Sequence, residues 1–341
     1  MKMHQRIPLV GLAVTVAMCL TAPSWSQNFY TGKTITLVVG HSSGGGYDTN
    51  ARLLARHIAR HIPGNPTIVV QNMPGASGMK SVNHLYAVAP RDGSVFGSFH
   101  PASPLQEVLG NKAVRYKSAE LSWIGSLSQS INVLAVTPQA GLKNLKDAAE
   151  KEVIMGAVGG GRGTMGAYPR LINSMFGTKF RIVPGYKGSR DVLMAMERGE
   201  VHGAVDAWVS WTINRPTWLA EGKIVPVVQI GPQKAADLSD VPLLRDLAKT
   251  DEERQMIDLF SHTMEIERPF AGPPSIPTDR LATLRAAFDA TVKDPAFLAD
   301  AKKSRAVIDP HSGVEVAKIV KSIIDTPAPV VKKVKDAAGL R

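Results

Sequence analysis

The feature that most constrains this chain is an apolar strand that runs directly into a glycine-rich turn and then into a helix. The strand, Thr34 to Val39, is rich in β-branched residues, and the turn at 40–46 consists of glycine, histidine and serine. Apolar residues then recur at helical spacing from Ala51 to Ile62. Glycine lets the backbone approach a bound group closely, and the first N–H groups of a helix have no intrahelical partner. The stretch therefore predicts an anion-binding loop.

The same layout of strand, glycine turn and helix occurs in both halves of the chain. Predicted strands cover residues 34–39, 67–71, 94–99, 153–158, 180–183 and 201–208. Predicted helices lie between them at 48–61, about 79–88, about 165–176 and 189–198. Strands that alternate with helices at this spacing predict parallel sheets whose ligands bind at the carboxyl ends of the strands. We therefore predict an α/β fold with two βαβαβ lobes that face one another across a cleft.

The remaining segments suggest how the two lobes are joined. Residues 123–136 form a long extended stretch with small polar interruptions, which is typical of a strand that crosses between domains. A proline-rich connector is predicted at 269–277, followed by amphipathic helices that pack on the first lobe and by a short solvated tail containing Lys332, Lys333 and Lys335. The predicted domains are a signal peptide at 1–26, a first lobe at 27–127 plus about 245–341, and a second lobe at 128–244.

The N-terminal segment has the pattern of a secretory signal. Lys2 and Arg6 precede an apolar run, and small residues follow it, so cleavage is expected near Ser26. The single cysteine, Cys19, lies inside this leader. The mature chain would therefore have no disulfide, thiolate metal site or cysteine nucleophile. We expect a soluble periplasmic protein.

The charge of the chain favours anionic partners. The formal net charge is +11, but the basic residues are dispersed and only 6% of residues are aromatic. A nucleic-acid groove needs basic and aromatic residues interleaved on one surface. We therefore expect a small anionic ligand and no nucleic acid.

Patterns for cofactors and metals are incomplete. Residues 161–166 fit a dinucleotide fingerprint, but no acidic residue closes the next strand at 180–183 to hold a ribose. His57 and His61 are one helical turn apart without a flanking acid, so a solvated basic face is the preferred interpretation. No metal and no cofactor are predicted.

One alternative function comes from the first glycine turn. Gly40-His41-Ser42-Ser43-Gly44 fits the nucleophile elbow of serine hydrolases and lies between a strand and a helix. Against a hydrolase, this elbow would follow the first strand of the fold, whereas hydrolase sheets place strands and an oxyanion loop before it. A secreted hydrolase that uses Ser42 is the alternative to a binding protein.

Two charged residues in the glycine turns have open roles. Asp48 is placed either to cap the helix or, in a cleft, to accept a hydrogen bond from a ligand hydroxyl or amine and repel the wrong ligand. Arg162 has no acid nearby in sequence, so it either pairs with a ligand carboxylate or is solvated.

Several motifs together resemble one family. They are Gly44–Asp48 followed by Ala51 and Arg52, Gln71–Gly78, Pro90–Gly93, Tyr186–Gly188 and Gly199–Val201. In this order, and with the leader, they resemble the Bug family of extracytoplasmic receptors of tripartite tricarboxylate transporters. The resemblance implies a two-lobed, flytrap-like protein of the type II periplasmic-binding fold without catalytic activity. It also implies a monomer that captures a small carboxylate and delivers it to a two-subunit membrane permease.

The resemblance further implies where the ligand binds. In that family both glycine turns hold a ligand carboxylate, largely through backbone N–H groups and ordered waters. The matching positions, with the neighbours expected to select the acid, are His41, Ser42, Ser43, Gly44, Gly45, Gly46, Tyr47, Asp48, Ser98, Gly160, Gly161, Arg162 and Thr164. The family usually has threonine where Tyr47 stands, and Tyr47 could narrow the pocket or stack on a ring. The ligand is thus open among di- and tricarboxylates, amino acids and aromatic acids.

Overall fold

The computed structural model describes residues 29–161 and 163–340. The predicted signal peptide and its cleavage near Ser26 lie outside these residues, as does Arg162. The strands are β1 (Thr34–Val39), β2 (Thr67–Asn72), β3 (Val95–Ser98), β4 (Ser122–Ser126), β5 (Asn132–Val136), β6 (Val153–Val158), β7 (Phe180–Tyr186), β8 (Gly203–Ala207), β9 (Val225–Ile230), β10 (Pro269–Gly272) and β11 (His311–Ser312).

The α-helices follow the same order. They are α1 (Gly46–Ile58), α2 (Met79–Ala87), α3 (Ser103–Val108), α4 (Thr164–Phe176), α5 (Ser189–Glu197), α6 (Trp208–Asn214), α7 (Asp251–Glu265), α8 (Thr278–Thr291), α9 (Pro295–Lys303), α10 (Gly313–Ile324) and α11 (Ala328–Ala338). Within the described part of the chain, none of these helices combines the length and the hydropathy that a bilayer crossing requires.

The strands form two sheets of similar construction. The first sheet has the order β11-β4-β10-β3-β1-β2, and the second has the order β7-β6-β8-β5-β9. In each sheet one strand pairs in parallel with two neighbours: β1 with β2 and β3, and β6 with β7 and β8. A strand from elsewhere in the chain, β10 or β5, joins them in antiparallel orientation. The predicted α/β class with two βαβαβ-based sheets is confirmed.

Both faces of the first sheet are covered, as expected for a largely parallel sheet. Side chains alternate across β1, so Ile35, Leu37 and Val39 pack into one core cluster that includes residues of α1. Val38 points to the opposite face and packs into a second cluster with Val82 of α2. The second sheet is likewise covered, by α4 on one face and α5 on the other.

The chain passes from one sheet to the other through two adjacent segments. The stretch predicted as one crossing strand is divided into β4 and β5, which belong to different sheets. The return segment leads into β10 and runs beside the first. The Leu127 N–H donates to the Arg268 carbonyl (3.0 Å), and the Glu267 N–H donates to the Ser128 carbonyl (3.0 Å). These crossovers are therefore held together by backbone hydrogen bonds.

Two predictions about the C-terminal third are wrong. Pro269–Gly272 is the buried strand β10, paired with β3 and β4, rather than part of a connector. Proline is tolerated there because it is the first residue of the strand. The supposed solvated tail is helix α11, which buries Val330, Val334 and Ala338.

The C-terminal helices contact both sheets. Helix α10 packs against β4 of the first sheet, whereas α11 packs against α4 and α7 beside the second sheet. The predicted lobe boundaries, at residue 127 and near residue 245, stay a prediction.

Candidate ligand-binding site

The first glycine turn lies at the carboxyl edge of β1 and β3. Strand β1 ends at Val39, and the next N–H, that of Gly40, donates to the Ser98 carbonyl at 2.9 Å. Gly44 has a φ of +82°, in the left-handed region that favours glycine. Helix α1 then begins at Gly46, with Gly45 as its N-cap. The predicted succession of strand, glycine turn and helix is present.

The carboxylate of Asp48 holds this turn together. It accepts hydrogen bonds from the Gly44 N–H (2.8 Å), from Nε of Arg52 (3.0 Å) and from Nδ2 of Asn72 (2.8 Å). The Asn72 amide also donates to the His41 carbonyl (2.9 Å). One carboxylate and one amide thus tie both ends of the turn to α1 and to the end of β2.

The environment of Asp48 keeps its side chain ionised. Burial alone would raise the pKa, but hydrogen bonds from Arg52, from the Gly44 N–H and from Asn72 outweigh it and lower the pKa to about 2. Asp48 is not the N-cap of the helix, because Gly45 occupies that position and the carboxylate reaches back to Gly44 instead. Its predicted role in selecting a ligand stays a prediction.

The start of α1 offers free donors. The first intrahelical bond at this end runs from the Thr49 N–H to the Gly45 carbonyl (2.9 Å). Among the residues that the structure describes, the N–H groups of Gly46 and Tyr47 have no hydrogen-bond partner. Both residues are at least partly exposed, whereas Asp48, whose N–H also has no partner among the described residues, is buried. This arrangement suits an anion, because the helix dipole adds to the two N–H donors.

An aromatic and cationic cluster lies beside these donors. The His41 ring stacks on Tyr47 with ring centres 4.0 Å apart and planes 11° apart. The Arg268 guanidinium lies over the Tyr47 ring, 4.5 Å from its centre. His41 and Arg268 thus both pack against the ring of Tyr47.

The surroundings of the two histidines of this cluster favour their uncharged forms. Burial, and then the charge of Arg268, lower the pKa of His41. Burial, followed by His41 and Arg268, lowers the pKa of His100 to about 4. His100 accepts a hydrogen bond from the Ala102 N–H at Nδ1 (3.1 Å). Arg268, by contrast, is permanently charged, and its Nη2 lies 3.6 Å from the position that a Cβ on Gly46 would take.

The second glycine turn has its own internal support. Gly159 and Gly161 adopt positive φ values of +57° and +67°. Arg170 of α4 donates through Nη1 to the Gly161 carbonyl, and Gly160 and Thr164 are exposed. Within residues 29–161 and 163–340, no hydrogen bond or ion pair joins this turn to the first one, so two opposed turns acting on one ligand stay a prediction.

Solved structures of other proteins share this architecture, although sequence comparisons find no match. No protein-family model matches the chain, and no curated protein sequence matches it either. A TctC solute binding protein from Polaromonas, solved without ligand, has a TM-score of 0.70 at 18% identity, covering 89% of this chain and 99% of that chain. A protein from R. palustris solved with adipate has a TM-score of 0.59 at 23% identity, covering 90% and 97%. The periplasmic binding protein BugD has a TM-score of 0.59 at 19% identity, covering 92% and 99%.

This chain has the fold of periplasmic solute-binding proteins. The likeness spans nearly the whole described chain, and the proteins that share the fold include TctC and Bug-type receptors. At identities below one quarter it is a likeness of fold. It agrees with the resemblance to Bug receptors that the sequence motifs indicated.

Within this solute-binding fold, Ser42 lacks the surroundings of a nucleophile. Its side chain is exposed, and in the described residues no histidine hydrogen bonds to its hydroxyl. A nucleophile elbow holds its serine in a strained turn, whereas Ser42 is absent from the described non-glycine residues with positive φ. Ser98 is buried at the end of β3, and its hydroxyl has no partner among the described residues.

The predicted basic face at His57 and His61 is also wrong. His57 is buried and contacts Asp300 (3.0 Å), and His61 contacts Asp294 (3.0 Å), both at helix α9. These contacts fasten α1 to α9. In the part of the chain that the structure describes, no group of three or more potential ligand side chains is arranged to hold a metal ion.

Several side chains around the first turn are not among the predicted site residues. The additional residues are Arg52, Asn72, His100, Glu267 and Arg268. Asn72 and His100 directly follow the predicted strands at 67–71 and 94–99, whose carboxyl ends are where ligands are predicted to bind. Arg268 gives a weaker sequence signal: it follows the oppositely charged Glu267 and directly precedes strand β10.

Proposed function

We propose that this protein is a periplasmic receptor of the Bug type that captures a small carboxylate and delivers it to a two-subunit permease of the tripartite tricarboxylate type. The observation that carries the proposal is the first glycine turn: two unpartnered helix N–H groups lie beside a guanidinium at the carboxyl edge of a sheet. That turn occurs in a fold whose solved examples include one with adipate. A carboxylate is the ligand group that these donors accept best.

The rest of the proposal follows from the leader and from the fold. The predicted signal at 1–26 would export the chain, and cleavage near Ser26 would release it into the periplasm. The two glycine turns would then close on the ligand as the sheets move about the paired crossovers. The closed form of a monomeric receptor would be the form that the permease binds.

A thermal-shift screen tests the proposal. Purified mature protein would be heated with adipate, malate, citrate, glutamate or benzoate, each at millimolar concentration. An acid present at a hundredfold its dissociation constant stabilises the folded protein by about 2.7 kcal/mol. We expect at least one acid to raise the melting temperature, and uncharged diols of the same length to have no effect.

A matched variant ties the response to the turn. Replacing Gly46 with proline would remove one of the two free N–H donors at a first-turn position that proline tolerates. This variant should fold and bind the active acid more weakly. The proposal fails if no acid shifts the melting temperature of the wild-type protein. Hydrolysis of a model ester that Ser42→Ala abolishes would then favour the hydrolase.

A further inference from the structure

The backbone of Arg268 is fixed where the chain returns from the second sheet to the first. Its carbonyl accepts from the Leu127 N–H (3.0 Å), and its N–H donates to Oγ of Ser126 (3.2 Å). Leu127 begins the other crossover, and Ser126 is the last residue of β4 before it. The side chain of Arg268 therefore extends from the junction of the two crossovers and not from either glycine turn.

Only part of the guanidinium is used within the protein. Nη1 donates to the Glu267 carbonyl (2.9 Å) and to the Glu267 carboxylate. In the described residues, Nε and Nη2 have no hydrogen-bond partner. Nη2 lies 3.6 Å from the position that a Cβ on Gly46 would take, so a free donor faces the first residue of α1.

The rings of the cluster hold the guanidinium at this position. Arg268 lies 4.5 Å from the centre of the Tyr47 ring, and the His41 ring stacks on Tyr47. An arginine stacked on an aromatic face loses less freedom when it binds an anion, because its fork is already oriented.

The other charges of the cluster are already balanced. The carboxylate of Asp48 is paired with Arg52 at 3.0 Å. Glu267 is paired with Arg268 through Nη1, with Ser130 Oγ donating to the other carboxylate oxygen (3.3 Å). Arg52 is committed to Asp48 and Asn72 through Nε and Nη2, whereas the free Nη2 of Arg268 lies beside the first residue of α1.

We propose that Arg268 is the charged contact for the ligand carboxylate, which would accept from Arg268 and from the N–H groups of Gly46 and Tyr47 together. This inference rests on the proposed carboxylate-binding function. It assigns recognition to the crossover, in addition to the glycine turns. Ligand capture would then act directly on the segment about which the sheets move.

The test compares arginine variants in the same acid screen. R268Q should bind every acid that stabilises the wild-type protein about tenfold or more weakly. R268K keeps the charge but loses the planar fork, and its affinity should lie between those of R268Q and the wild type. R280Q is the matched control, because Arg280 stacks on Phe29 at 3.6 Å and bonds the Asp92 carbonyl away from the turn.

A double variant distinguishes a loss of binding from misfolding. R268Q leaves the Glu267 carboxylate without its cation, so E267Q/R268Q removes both charges together. The double variant should melt close to the wild type and still lose binding. The inference is overturned, and the proposed function stands, if acids stabilise the wild type and a folded R268Q or E267Q/R268Q protein binds them with wild-type affinity. If no acid binds the wild type, both are overturned.

Discussion

Asp48 closes the first glycine turn on itself by accepting a hydrogen bond from the Gly44 N–H at 2.8 Å. The same carboxylate is held by Arg52 from the next turn of α1. The turn therefore has its shape before a ligand arrives, and the N–H groups of Gly46 and Tyr47 are oriented in advance. Preorganisation of this kind reduces the conformational entropy that is lost when the ligand binds.

Replacing Asp48 with asparagine should destabilise the protein and loosen the turn. The NH₂ group of asparagine would face the N–H groups of Gly44, Arg52 and Asn72 that now donate to the Asp48 carboxylate. Arg52 would also lose its anionic partner. We expect a loss of unfolding free energy on the order of 2 kcal/mol, measured by urea denaturation. Because the pKa of Asp48 is depressed, its contribution is present above pH 3.8 and is lost as the pH falls towards 2.

Asp325 provides the comparison for this variant. It pairs with Lys321 one turn away on α10, and both side chains are largely exposed. Asp325→Asn should leave the denaturation midpoint almost unchanged, because exposed pairs contribute little. Equal effects of the two substitutions would show that the Asp48 contacts do not support the turn.

Gly166 should be essential for the second glycine turn. A Cβ at this position would lie 2.0 Å from the Gly161 carbonyl oxygen, so the turn must shift to admit it. Gly166→Ala should cost about 1–3 kcal/mol of stability and weaken binding of whichever acid stabilises the wild type. Differential scanning calorimetry and titration calorimetry would measure the two effects.

Gly163→Ala is the natural counterpart three residues earlier. Among the described residues beyond its chain neighbours, no heavy atom lies within 4 Å of the position that a Cβ on Gly163 would take, and its φ of −77° suits alanine. This variant should melt close to the wild-type temperature, because the restriction that alanine places on the unfolded chain offsets its weaker preference for the N-cap position of α4. A neutral Gly166→Ala together with a harmful Gly163→Ala would contradict the packing described for this turn.

The sequence was informative where function and fold depend on neighbouring residues. Strand β1, the turn at 40–46 and helix α1 follow one another directly, so period-two and helical patterns locate all three. The same holds for β6, its glycine turn and α4. Fold class could therefore be predicted, because each βαβ unit carries its own signals.

Contacts between distant segments could not be predicted in this way. Tyr47 and Arg268 are far apart in the chain and meet only because β10 inserts beside β3. Pro269 gave a misleading signal, since proline usually marks a connector but is allowed at the first position of a strand. For α11, lysines suggested a solvated tail, while Val330 and Val334 at four-residue spacing carried the helical signal.

Stability should fall in mildly acidic solution because of His100. Its pKa is lowered from 6.5 to about 4, so the unfolded chain binds more protons between these values. Unfolding free energy should be insensitive to His100 above pH 6.5 and should decrease as the pH falls towards 4, by about 3 kcal/mol at most. Urea denaturation at intervals between pH 4 and pH 7.5 would follow this loss.

His100→Asn isolates the effect. The asparagine carbonyl can still accept from the Ala102 N–H, which now donates to Nδ1 of His100, but it does not titrate. The variant should keep near-wild-type stability at pH 7.5 and lose less stability on acidification. A pH profile identical to that of the wild type would rule out His100 as the source, and would leave His41, whose pKa is also lowered, as the group to replace next.

The C-terminal helix should support the second glycine turn from behind. Val334 of α11 is fully buried in the cluster that contains α4. At the end of α11, Gly339 lies beside Arg170, the residue that holds the Gly161 carbonyl. Val334→Ala should therefore cost on the order of 2 kcal/mol and also weaken acid binding, whereas Lys332→Ala on the exposed face should do neither. Calorimetry on both variants decides the point: a stable Val334→Ala protein would mean that α11 does not dock on α4, and a destabilised one with unchanged affinity would mean that docking does not reach the turn.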